Sequence, residues 1–174
     1  GMSVSADDAG LCECCELNKQ KRRAIPRDSG NRAHDILEFV HGDILGPIVP
    51  ISIDGHRYAI GFVDSYSRYG KVYFMKSREG ALEKFQQFYA DIRKPRVFVS
   101  DGAPEFVGQD FEFWCRKNGI RTEVSAPYTP EENGKIERKW GTVVGMARCM
   151  IHDAGLSKEY WTYALNHAFY VKNM

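Results

Sequence analysis

Asp101 and Glu137, separated by 35 intervening residues, stand toward the two ends of a stretch that could do chemistry. It opens Ser-Asp-Gly-Ala-Pro-Glu-Phe at Ser100 and closes Ala-Pro-Tyr-Thr-Pro-Glu-Glu-Asn-Gly-Lys-Ile-Glu-Arg-Lys-Trp at Trp140. With 23 acidic residues among 174, a Glu at a fixed distance from some Asp arises by chance, so spacing alone decides nothing. Context adds weight. Asp101 follows the apolar run Val97-Phe98-Val99, which has the pattern of a buried strand, and Glu137 sits one turn into a helical pattern. An acid at a strand end and an acid on a helix can meet at one point, which is what a metal site requires. Two further acids, Asp43 and Asp64, lie on strand-like segments upstream, and either could be a third partner. Each acid also has a purely structural use: Asp101 as a turn cap, Glu137 as a first-turn helix acid, Asp43 as a turn residue before Gly-Pro.

The elements that must position these acids follow from periodicity. A chain of this length suggests one domain with a sizeable core. Its composition, 43% hydrophobic and 27% charged, is that of an ordinary globular protein. No apolar run approaches the roughly 20 residues of a membrane span, and no signal peptide opens the chain. Five cysteines, an odd number, argue for a reducing compartment rather than a disulfide framework. The net charge of +1 does not advertise nucleic-acid binding, so any such role rests on local patches.

Residues 1–33 are small, polar and charged without periodicity, and are expected to form a flexible tail. Within them Cys12 and Cys15 form a C-x-x-C pair, half of a tetrahedral zinc site whose other half is missing. A basic run follows at Lys19, Lys21, Arg22, Arg23 and Arg27. The core, 34–174, should begin with a strand over Ile36–Ile44, with His41 and Asp43 on one face. Strands over Tyr58–Ser65 and Lys71–Met75 complete an antiparallel meander. Ser77 is placed to cap a helix over Glu79–Arg93. A strand over Arg96–Ser100, a helix over Gln109–Asn118 and a strand over Ile120–Ser125 make a parallel unit. After a turn over Pro130–Gly134, a long helix runs from about Lys135 to Asp153, and another follows a Ser157 cap. Helical character continues to Met174, as expected of a core cut short. His41 is expected to be a hydrogen-bonded core histidine rather than a ligand.

From His34 to Met174 the sequence resembles the catalytic cores of retroviral-type integrases, most of all those of copia-like LTR retrotransposons. The resemblance is carried by His41-Gly42-Asp43-Ile44-Leu45-Gly46-Pro47 and by Phe62-Val63-Asp64-Ser65-Tyr66-Ser67-Arg68. It continues in Ser100-Asp101-Gly102 with Glu105-Phe106, and in Ala126-Pro127-Tyr128-Thr129-Pro130 through Asn133-Gly134 to Glu137-Arg138. It implies an α/β, RNase H-like fold: a five-stranded mixed sheet, three antiparallel strands then two parallel, flanked by helices. It prefers Asp43 to Asp64, because the first metal acid of the pattern precedes Gly-Pro. Asp43, Asp101 and Glu137 would then hold two Mg²⁺ or Mn²⁺ ions, Asp43 bridging both. The implied activity is trimming of DNA 3′ ends and their transfer to target DNA, in the nucleus, by a homodimer or larger assembly. A hydrolysis-only nuclease and a non-catalytic DNA- or protein-binding module are the alternatives. Tyr128, Asn133, Gly134, Lys135, Arg138 and Lys139 are the implied DNA contacts. Cys12 and Cys15 would be the trailing half of an N-terminal zinc module. Three departures bear on DNA-end specificity: Gly102-Ala103-Pro104 replaces an Asn-Gly, and Trp140 and Gly141 replace an Asn and a basic residue.

Overall fold

The computed structural model describes residues 33–125 and 130–174, residues 130–133 through their backbone alone. The first strand, β1, spans Phe39–Leu45. It starts three residues later than periodicity suggests, because Leu37 takes a left-handed backbone (φ 61°) that no strand accommodates. The Leu37 amide instead donates to Asp64 Oδ1 at 3.0 Å. β2 (Tyr58–Asp64) and β3 (Gly70–Met75) complete the expected meander. A single 3₁₀ turn, Arg78–Gly80, leads into helix α1 (Ala81–Asp91), and Ser77 makes no capping bond to it. β4 (Val97–Ser100) pairs in parallel with β1. Two helices follow: a short α2 (Pro104–Val107), which the sequence reading did not anticipate, and α3 (Gln109–Lys117). Gly119, at φ +65°, turns the chain into β5 (Arg121–Val124), parallel to β4.

The longest helix, α4, spans Pro130–Asp153. It begins five residues before the expected start, so Pro130–Gly134 is helix rather than turn. Proline is well suited to a first helical turn, and Glu131 and Glu132 favour the positive end of the helix dipole. A 3₁₀ turn at Lys158–Tyr160 precedes α5 (Trp161–Asn173). Ser157 does not cap it; its hydroxyl donates to Glu159 Oε2.

The strand order is β3-β2-β1-β4-β5, a five-stranded mixed sheet with helices on both faces. Alternation along the strands feeds two separate cores. Val40, Ile44, Ile60, Phe62 and Phe98 meet Phe85 and Phe88 of α1, Phe106 of α2 and Phe111 of α3. Ala59, Val63 and Val72 meet Ile136, Trp140 and Val143 of α4 and Leu165 and Phe169 of α5. Asp43 belongs to this second face, whereas Asp64, paired with Val40, belongs to the first.

Candidate active site

Asp43 lies near the end of the central strand and faces the α4 layer. Its antiparallel partner is Gly61, and opposed residues share a face. A Cβ on Gly61 would meet the Trp140 ring at 2.7 Å, so α4 lies directly over that face. Gly42 supports the same geometry from the other side, where a Cβ would strike Phe98 at 2.4 Å. Glycine at these two positions lets an aromatic ring press onto the backbone on each face of the sheet.

Asp101 stands one residue beyond β4. The parallel register pairs Phe39 with Val97, Val40 with Phe98 and His41 with Val99. Continued two residues further, the same offset sets Asp101 beside Asp43. The chain then turns away through Gly102 (φ +79°), and Asp101 Oδ1 accepts the Ala103 amide at 3.1 Å. Its turn-capping role is therefore real and coexists with its place at the strand end. Glu137 comes from α4, between buried Ile136 and Trp140, and is exposed.

Electrostatics tie the three together. Burial holds the Asp43 carboxyl above the ordinary 3.8, the Ile44 amide on its Oδ1 pulls it back, and the Asp101 and Glu137 charges push it up again. The Arg78 guanidinium acts weakly in the opposite direction; it pairs with Glu105 at 3.2 Å and lies 5.9 Å from the Tyr58 ring. The three carboxylates are neighbours, yet they do not converge on one point. Among the described residues no three His, Cys, Asp or Glu side chains are gathered tightly enough to hold a metal ion. Their chemistry still fits a hard cation: the donors are all carboxylate oxygens, and a positive charge would relieve the repulsion on Asp43. Asp101 and Glu137 are exposed, whereas Asp43 is half-buried.

Asp64, the rival third acid, is fully engaged elsewhere. It is buried, its Oδ1 accepts the Leu37 amide, and its Oδ2 accepts both the amide (2.8 Å) and the hydroxyl (2.6 Å) of Ser67. It builds the connection between β2 and β3. His41 is a buried core histidine, as expected, sharing a 2.7 Å hydrogen bond between Nε2 and Ser65 Oγ.

The implied DNA contacts divide. Arg138 is exposed. Lys139 is buried, at 8% exposure, and its ammonium donates to Arg68 O and Asn173 Oδ1, both at 2.8 Å. Burial, with Lys172 nearby, pushes its amine down to about 8. Its ammonium is thus turned toward the protein rather than toward solvent. Lys135 is half-buried and donates to Ser65 Oγ at 3.0 Å; burial lowers its pKa, with Arg68 and Arg138 adding to the effect. Gly134 is buried beneath the Arg138 side chain. Cys12, Cys15, the basic run and Tyr128 lie outside the described residues, as does the side chain of Asn133.

A sequence model described as integrase core domain matches residues 36–130. The chain is 35% identical over 167 residues, 93% of its length, to the retrovirus-related Pol polyprotein from transposon TNT 1-94 of Nicotiana tabacum. It is 31% identical over a similar span to that from transposon RE1 of Arabidopsis thaliana. It covers only 12% and 11% of these two polyproteins. Among solved structures, the simian T-cell lymphotropic virus intasome in complex with the PP2A regulatory subunit B56 gamma matches with a TM-score of 0.70 at 21% identity, over 92% of this chain and 56% of that one. The HTLV-2 integrase catalytic core domain in complex with magnesium matches at 0.61 and 19% identity, over 78% of this chain and 84% of that one. These likenesses bear out the RNase H-like fold.

Proposed function

The chain belongs to the integrase core domain family, and from that premise we propose that it trims DNA 3′ ends and joins them to target DNA by metal-dependent phosphoryl transfer. The observation that carries this reading is the approach of three chain segments to Asp43, whose carboxyl is raised first by burial and then by the Asp101 and Glu137 charges. Asp43 would hold two divalent ions, with Asp101 and Glu137 holding one each. When bound, such a pair activates the attacking oxygen and neutralises the leaving 3′ oxygen. Mg²⁺ or Mn²⁺ suits an all-carboxylate donor set, and the related viral core was solved in complex with magnesium.

The residues divide the remaining work. Asp43, fixed in the central strand, supplies the rigid reference. Asp101 and Glu137 approach it from a strand end and a helix. Water would attack a phosphate near the end, breaking its bond to the retained strand's 3′ oxygen and releasing a 5′-phosphorylated fragment; the freed 3′-hydroxyl would then attack a target-DNA phosphate, expelling the target strand's 3′ oxygen, so no covalent enzyme intermediate is needed. Arg138 would contact the DNA backbone, a role its exposure supports. We place this activity on chromosomal DNA in the nucleus, in a dimer or larger assembly. The related viral core has been solved in dimeric and trimeric forms, which supports the proposed assembly.

An oligonucleotide assay in Mg²⁺ and in Mn²⁺ tests the proposal. Joined products are the expected outcome. Cleavage without joining would make the protein a nuclease, and inertness in both metals would leave a non-catalytic binding module. Glu137→Gln should leave thermal unfolding unchanged and lower turnover by more than about a hundredfold, beyond the usual cost of losing an outer-shell partner. Unchanged turnover in that variant would refute the site assignment.

A further inference from the structure

Lys135 and Lys139 lie one turn apart on α4 with Glu137 between them, and both reach the same short connection. Lys135 Nζ donates to Ser65 Oγ, and Lys139 Nζ donates to the Arg68 carbonyl. That connection is stiff. Asp64 ties it at Ser67, the Arg68 amide bonds the Asp64 carbonyl, and Arg68 is held left-handed at φ 65°. It is also anchored to the strand that carries Asp43. The Ser65 amide donates to Phe39 O at 2.9 Å, and its hydroxyl bonds His41, two residues before Asp43.

The Lys139 end is built with equal specificity. Its stem crosses Gly70, where a Cβ would meet Lys139 Cε at 2.6 Å, and its ammonium lies 5.6 Å from the Phe169 ring centroid. The Asn173 amide accepts from Lys139 and brackets the Gly70 backbone, giving to its carbonyl and taking from its amide. Apolar packing of α4 on the sheet is non-directional and leaves the helix free to roll. Two charge-assisted hydrogen bonds to fixed oxygens remove that freedom.

We propose that Lys135 and Lys139 are positioning residues: they staple α4 to the β2–β3 connection, fix its rotation, and thereby set the Glu137 carboxylate against Asp43. They are not phosphate contacts. This inference rests on the reading of Asp43 and Glu137 as metal ligands, but its test can fail separately. Lys135→Met, Lys139→Met and Ser65→Ala are compared with wild type, and Arg138→Met serves as the exposed reference. Two quantities are measured: Mg²⁺ affinity by titration calorimetry, and DNA affinity across a salt series without metal.

The three staple variants should bind Mg²⁺ about ten- to a hundredfold more weakly, the usual range for outer-shell partners. Their DNA salt dependence should match wild type, whereas Arg138→Met should lose about one unit of slope. A slope lowered by about one in Lys135→Met or Lys139→Met overturns the inference. So does wild-type Mg²⁺ affinity in Ser65→Ala, which changes no charge and carries the test if a lysine variant fails to fold. Wild type that binds Mg²⁺ but joins no DNA overturns the functional reading alone. Wild type that binds no Mg²⁺ overturns both.

Discussion

At neutral pH Asp43 carries a charge that its surroundings oppose. Burial is the largest cause, and the Asp101 and Glu137 charges add to it. A carboxyl raised in the folded state favours folding only while it is protonated. That contribution is fully present below the unfolded value near 3.8 and is lost as pH rises through the folded one. In metal-free buffer, Asp43→Asn should therefore unfold at a higher temperature than wild type at pH 7, and the two curves should approach each other below about pH 4. Adding Mg²⁺ should raise the wild-type midpoint and leave the variant where it was, because only a folded state that binds the ion is stabilised by it. Thermal melts at several pH values, with and without metal, check both expectations. A variant less stable than wild type at pH 7 without metal would show that Asp43 is not under this strain.

The strand that carries Asp43 depends on the residue before it. Gly42 gives its space to Phe98, with Phe62 at 3.3 Å from the same missing Cβ. Gly42→Ala should cost about 1–3 kcal/mol through overpacking and should also displace Asp43, lowering Mg²⁺ affinity along with the unfolding midpoint. Denaturant titration and calorimetry read the two effects separately. Periodicity made most such elements legible: β2, β3, β4, β5 and α3 lie within a residue or two of their expected bounds. The failures have local causes. Leu37 at positive φ cut the first strand short, and no residue type announced it. Pro-Glu-Glu-Asn-Gly was read as a turn because Pro, Asn and Gly are turn formers, although the same Pro and acids suit a helix start. Among the side chains, the burial of Lys139 was not legible because charged residues are usually exposed, and its partners, Arg68 O and Asn173, are distant in sequence. The choice of Asp43 over Asp64 came from the resemblance, in which the first metal acid precedes Gly-Pro; periodicity could not make it, since both are acids on strands. Only the tertiary bonds of Asp64 to Leu37 and Ser67 assign it to the loop.

Across the whole molecule, one sheet separates two cores of different duty. On the face away from α4, Phe85 packs at tilted angles against Phe62, Phe98 and Phe111, with ring centroids 4.6–5.5 Å apart. That core lies on the face of the sheet opposite the one Asp43 shares with α4. On the other face, Trp140 packs edge-on against Phe169 at 5.4 Å and rests on Gly61, so the same contact that buries α4 also sets the height of Glu137. Phe85→Ala and Trp140→Ala should each cost about 3–5 kcal/mol, since both empty a large aromatic site. Their consequences for the site should differ. At low temperature, where each variant is still folded, Phe85→Ala should bind Mg²⁺ with wild-type affinity. Trp140→Ala should bind it at least about tenfold more weakly, in the range for a lost outer-shell support. Circular dichroism establishes the folded fraction, and titration calorimetry reads the metal. Equal loss of metal affinity in both variants would mean that the sheet transmits any core defect to the carboxylates, and the division of labour between its faces would have to be abandoned.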